Sequence, residues 1–191
     1  MDCKSLIVHE VTHVQKNEKL NFNIYTDHVA REALGDPLII LISEEINTIG
    51  NEFDIKITYE STSSSTAIDW LNKEQTSVKL HPFMYTQCQA ILARTLLPCQ
   101  DTPCPKVIVE AKLTAPNPLR ALFSGVETNK YEVEDNHTCY EYIQKIPIPT
   151  YLIAIACGYL EYGKLSERCG VWTEVGLKDK AVYEFADTEK F

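Results

Sequence analysis

The chain has 191 residues, 45% hydrophobic and 24% charged, enough to bury a substantial core as one domain or two small ones. Its 18 Lys and Arg stand against 27 Asp and Glu, a formal charge of -9 that repels phosphate backbones and anionic lipid, so neither nucleic acid nor a membrane surface is expected as a partner. The longest strongly apolar run, residues 151–157, falls far short of the ~18 residues that span a bilayer, and Asp2 stands where a secretory signal carries basic charge. The cysteines at 3, 88, 99, 104, 139, 157 and 169 include no CxxC pair and read as reduced thiols of a cytoplasmic protein.

Residues 7–14 are rich in β-branched side chains (Ile7, Val8, Val11, Thr12, Val14), which favours a strand, although Ile7, Val11 and Val14 would also line one face of a helix. Residues 19–25 (KLNFNIY) alternate Leu20, Phe22 and Ile24 with Asn21 and Asn23, the period of a strand with one wet face. Strands follow over 37–42 and 53–59, joined by a turn that holds Asn47, Gly50 and Asn51. The hydroxyl run at 61–66 reads as a surface loop, and from 72 to 105 the period of two disappears. It returns at 106–113, 120–124, 139–146, 151–159 and 169–173, while Pro147 and Pro149 exclude a continuous central ladder around them. From 177 the period changes again: Leu177, Ala181, Val182 and Phe185 share one face, and Lys178, Lys180, Glu184 and Asp187 the other, which predicts a helix over 177–191. The pattern as a whole is that of an all-β, sandwich-like domain with one C-terminal helix.

His9-Glu10-Val11-Thr12-His13 has the form HExxH, and Glu32 stands where gluzincin peptidases place a third zinc ligand. That chemistry needs both histidines on one helical face, with Glu10 aimed at a metal-bound water. In a strand the two imidazoles point to one side but about 13 Å apart, too far for one ion. Two half-exposed strand histidines are therefore expected. A self-contained zinc metallopeptidase using His9, His13 and Glu32 is the alternative. No phosphate-loop or nucleophile-elbow pattern is present, and neither Cys99 with Cys104 nor His137 with Cys139 has two further ligands beside it.

The segment without strand periodicity is the informative one. Residues 70–76 (WLNKEQT), 81–90 (HPFMYTQCQA) and 97–103 (LPCQDTP) resemble the N-terminal domain of the leukotriene A(4) hydrolase group within the aminopeptidase N superfamily of zinc metallopeptidases. The likeness continues in 144–154 (QKIPIPTYLIA), 171–174 (VWTE) and 181–189 (AVYEFADTE), and is weaker before residue 66. It implies a saddle-like β-sandwich N-terminal domain over 1–176 that lacks its first strands. Residues 177–191 would then begin a helix leading to a catalytic domain absent from this chain. It also aligns the HExxH segment with a strand, which makes that match a coincidence.

In such a family the zinc belongs to the catalytic domain. No cofactor is therefore expected in this chain, zinc is expected in the full-length parent enzyme, and the chain alone is expected to be inactive. The parent reaction is removal of N-terminal residues from peptides by a metal-activated water, with epoxide hydrolysis in the namesake. Carried over onto this sequence, Gln89 would accept the free amino terminus of a peptide substrate, Ala90 would border the first side-chain pocket, and Gln87 would line the polar part of the same cleft. None of these is a catalytic residue. A neutral amide oxygen can bind an ammonium group without burying a second charge, but the residues alone equally allow Gln87 and Gln89 to be buried amides bracing a loop. Residues 98–102 read as a turn tied down by the Asp101 side chain. The expected partners are a peptide substrate, through the parent enzyme, and a separate catalytic domain. A non-catalytic β-sandwich interaction module docking through residues 87–90 is the other alternative.

Overall fold

The computed structural model describes residues 1–26, 29, 31–44 and 47–190. They divide into two compact units. The first comprises Met1–Ile68, Gln87–Lys106 and Pro149–Leu152; the second comprises Asp69–Thr86, Val107–Ile148 and Ile153–Phe191.

The first unit holds β1 (Asp2–Cys3), β2 (Leu6–His13), β3 (Glu18–Lys19), β4 (Phe22–Ile24), β5 (Asp36–Ile40) and β6 (Ile55–Ser61), in two antiparallel sheets ordered β1-β5-β4 and β3-β2-β6. The strand composition of residues 7–14 prevails over their helical pattern, and β2 is flanked by β3 and β6. The strand expected over 19–25 is two strands in two sheets. Leu20 N–H donates to Val11 O on the β2 side, and Phe22 then pairs with Ile40 of β5. One unbroken alternation thus serves two different backbone partners. A four-residue helix, α1 (Arg31–Leu34), had no periodic signal; Gly35 at φ 75° ends it, where a Cβ would lie 2.6 Å from Cys3 O. Cys3, Leu6 and Leu38 are buried with Val8, Phe22, Ile24, Ile57 and Tyr59 packed against them. Residues 87–106 form no ladder; a 3-10 turn, Ala93–Thr95, and a cluster of Ala67, Cys88, Ala93 and Cys99 organise them.

The second unit holds β7 (Ile68–Leu71), β8 (Phe83–Thr86), β9 (Val107–Pro116), β10 (Arg120–Phe123), β11 (Val126–Val133), β12 (His137–Ile148), β13 (Ile155–Gly158), β14 (Leu160–Lys164) and β15 (Gly170–Glu174). They pair as β11-β12-β9, β10-β13-β8-β7 and β14-β15. Strand β11 is absent from the sequence expectation because all eight of its residues are exposed, so it shows no apolar face. β12 runs through Pro147, but its register against β9 shifts between Gln144 and Ile148, and β11 reaches no farther than Ile143, so the ladder is interrupted where the prolines stand. The strand expected over 151–159 is broken into a 3-10 turn, Thr150–Leu152, and β13, with β14 following. The C-terminal helix is shorter than its pattern: α2 spans Lys178–Glu184. Thr188 then turns both its N–H and its hydroxyl onto Phe185 O and opens a 3-10 turn, Thr188–Lys190, the local competition that Thr offers a helix; Phe191 lies outside the described residues. The core is built on Ala115, Ala121, Tyr140 and Tyr142. The two tyrosines bury their rings and donate their hydroxyls to Leu119 O (3.1 Å) and Ala121 O (2.7 Å). Among the described residues no helix is long and apolar enough to cross a membrane.

Candidate functional site

The HExxH segment lies in β2, and its two histidines face opposite ways, which corrects the expectation that they share a side. A bulge between Val8 and Glu10, opposite Tyr59 and Thr58, inserts His9 as an extra residue and shifts the alternation by one. Leu6 is buried before the bulge, and Val11 and His13 after it. His9 is left in solvent with Nε2 2.9 Å from Glu60 Oε1. His13 is 4% exposed rather than half-exposed; its ring stacks on Phe53 at 5.8 Å and its Nδ1 accepts the Lys16 N–H at 3.1 Å. Glu10 pairs with Lys19, whose ammonium holds its carboxyl below the usual range. Glu32 is exposed on α1. Among the described residues no three His, Cys, Asp or Glu side chains are grouped as a metal site requires. The self-contained metallopeptidase reading fails on this geometry.

The residues carried over by resemblance occupy a loop with a firm base. Gln87 N–H donates to Ala67 O (2.8 Å), and Ala67 N–H donates to Thr95 Oγ1 (3.0 Å). Thr95 is fully buried and donates its hydroxyl to Leu92 O (2.8 Å), while Leu92 N–H closes a turn on Cys88 O (2.9 Å). Between these anchors Cys88 points into the core at 2% exposed, and Gln87, Gln89 and Ala90 face outward. The Gln89–Ala90 peptide bond is cis. Burial, reinforced by the nearby Asp101 charge, pushes the Cys88 thiol up to about 11, so it stays neutral packing material. Neither glutamine is a buried brace: both are exposed, and among the described residues neither side-chain amide has a hydrogen-bond partner.

Beneath the loop lies an ion pair that the sequence reading did not assemble. Arg94, 5% exposed, donates from Nε to Asp101 Oδ2 (3.0 Å), and its own backbone N–H donates to the same oxygen (3.1 Å). The other guanidinium nitrogens donate to Asp101 O (3.0 Å) and Leu34 O (2.5 Å). Thr150 Oγ1 donates to Asp101 Oδ1 (3.0 Å), and Asp101 N–H to Asp2 Oδ2 (2.9 Å). The Asp101 side chain does tie down a backbone N–H, but that of Arg94 rather than one within 98–102, and its main partner is a cation. The available signal was Arg94 alone within the apolar run ILARTLL: an arginine there needs a buried acid.

Residues 1–152 match the model of the peptidase M1 N-terminal domain. The chain belongs to that family. This peptidase M1 N-terminal domain is 38% identical over 192 residues to leukotriene A-4 hydrolase of Xenopus laevis, covering 100% of this chain and 30% of that protein. It is 36% identical over 195 residues to leucine aminopeptidase 2 of Ajellomyces capsulatus, with coverage of 100% and 30%. Among solved structures, native yeast LTA4 hydrolase superposes with a TM-score of 0.83 at 34% identity, over 99% of this chain and 28% of that one. The M1 zinc metallopeptidase of Deinococcus radiodurans shares the fold at a TM-score of 0.66 and 16% identity. The chain thus spans about 30% of the length of the curated relatives it matches. The likeness that the sequence shows best after residue 66 extends over 100% of this chain in the Xenopus laevis relative and 99% of it in the yeast structure, and the mainly β class with one C-terminal helix agrees with it.

Proposed function

We propose that this M1 N-terminal domain forms one wall of the substrate cleft of a cytoplasmic zinc aminopeptidase, working against a separate catalytic domain. In this reading residues 1–176 are the cleft domain and 177–191 start the helix toward its catalytic partner. Gln89 accepts the substrate's terminal ammonium on its side-chain oxygen, Gln87 lines the polar part of the cleft, and Ala90 leaves room for the first side chain. The observation that carries the reading is the pairing of two exposed amides, free of hydrogen-bond partners among the described residues, with a backbone tied to Ala67 O and Leu92 N–H, Ala67 being held in turn by the buried Thr95 hydroxyl. Recognition costs least when the acceptor is held in place but unsatisfied. The names of the relatives support peptide N-termini as substrates, and the leukotriene A-4 hydrolase among them extends the reading to epoxide hydrolysis. No step of the hydrolysis is assigned to a residue of this chain, and the isolated chain should not cleave peptides.

The test is a chimera in which this chain replaces the matching part of Xenopus laevis leukotriene A-4 hydrolase. Gln89→Ala should lower kcat/KM for a peptide with a free N-terminus by roughly 10- to 100-fold, the value of one hydrogen bond to a charged group. An active chimera in which Gln89→Ala changes nothing would reject the role of Gln89 and with it the cleft reading.

A further inference from the structure

β9 forms one edge of the sheet β11-β12-β9, and among the described residues no strand pairs with its outer side. Residues 112–116 all line a cavity of about 510 Å³, with Trp70, Met84, Ile155 and Cys157 on its other walls. Successive side chains of a strand point to opposite faces, so five consecutive lining residues mean that the opening follows the strand's edge. Along that edge Val109, Ala111, Leu113 and Ala115 turn inward, while Ile108, Glu110, Lys112 and Thr114 are exposed. Such an edge offers unpaired backbone groups to any extended segment that can reach it.

The charge pattern names the segment. Glu110-Ala111-Lys112 is self-complementary in an antiparallel ladder. With a two-fold axis at Ala111, Glu110 lies opposite Lys112 of the second copy, and Lys112 opposite its Glu110. In the same register Val109 meets Leu113 on the inner face and Ile108 meets Thr114 on the outer. Lys112 already stands 2.7 Å from Glu141 with its side chain 71% exposed, so the second copy's Glu110 would complete a Glu-Lys-Glu row across the joined sheets. The opposite edge, β11, has a similar alternation at Lys130-Tyr131-Glu132, but all its residues are exposed and a bulge between Glu127 and Asn129 breaks its register. Pairing there would cover no apolar face, whereas pairing at β9 sets Val109 of the second copy against Leu113, at the mouth of the apolar cavity.

We propose that the free edge of β9 pairs antiparallel with the same edge of a second copy of this chain, giving a two-fold dimer by sheet extension. The contact is isologous, so each charge pair occurs twice and each single substitution acts twice. Sedimentation of the whole chain across the micromolar range should show a concentration-dependent dimer. Glu110→Lys and Lys112→Glu should each weaken it roughly tenfold or more, because like charges then face each other at both positions. The double variant Glu110→Lys/Lys112→Glu should regain dimerisation, and mixing the two single variants should give a heterodimer stronger than either homodimer. Both side chains are exposed, and unchanged far-ultraviolet circular dichroism would confirm that each variant is folded. A chain that stays monomeric throughout would overturn the pairing and leave the edge to an extended segment of another protein. A dimer indifferent to these charges would overturn it equally.

Discussion

The two units solve the same problem with opposite chemistry. In the first, the segment around residues 87–106 has no ladder; short turns and single backbone bonds such as Lys4 N–H to Arg94 O hold it, and side chains supply what these leave, with a buried Arg94–Asp101 pair at the centre. In the second, ladders satisfy most of the backbone, and the buried polar groups are hydroxyls, those of Tyr140 and Tyr142 on nearby carbonyls among them, while its Arg120–Glu127 pair keeps a partly exposed carboxylate. Irregular backbone can be buried only where something else supplies its hydrogen bonds. A charge is a strong supplier but a costly one to leave alone. The loop carrying Gln87, Gln89 and Ala90 therefore rests on the part of the molecule with the most to lose from one substitution.

The sharpest way to break this contrast is Asp101→Ala. It leaves Arg94 only the partly exposed Asp2 carboxylate, 3.6 Å from Nη1, and should cost about 3 kcal/mol in urea unfolding of the whole chain, the lower end of the loss expected for half of a buried pair. Alkaline pH comes next. Burial, with Asp101 adding to it, pushes the Cys99 thiol up to about 12 and Cys88 up to about 11, against an ordinary value of 9.0. The unfolded chain therefore ionises these thiols first, and stability should be intact below pH 9 and fall as pH rises toward 11 and 12. Thermal melts of the parent and of Cys99→Ala across that range should show a shallower fall in the variant; equal slopes would mean that the thiol is not responsible. Tyr142→Phe sharpens the other side. Losing the hydroxyl bonded to Ala121 O and Glu127 while keeping the ring should cost only about 1 kcal/mol. A loss as large as that for Asp101→Ala would remove the distinction between the units.

Much of the strand content was legible because alternation is local. Residues 53–59, 106–113 and 169–173 have strands within a few residues of their predicted places. The first two failures share one cause, pairing with a distant strand, and the third is local. β11 shows no apolar period because both its faces are wet, and only its pairing with β12 makes it a strand. Residues 19–25 carry one period but serve two sheets, since period reports which face is dry and is silent on which neighbour is bonded. The C-terminal pattern persists past Glu184, whereas the helix gives way to turns before Thr188 caps Phe185 O.

From the amino acids alone came the acidic balance, the all-β class, the helix beginning near residue 177 and the stretches that carry the M1 likeness, all properties of composition and short-range order. Tertiary structure decided that one bulged residue turns His9 away from His13, that Cys88 is buried between two exposed glutamines, and that Arg94 meets Asp101. Those outcomes depend on which distant backbone lies alongside, and on whether a buried charge finds its partner there, neither of which is encoded in any window of neighbouring residues.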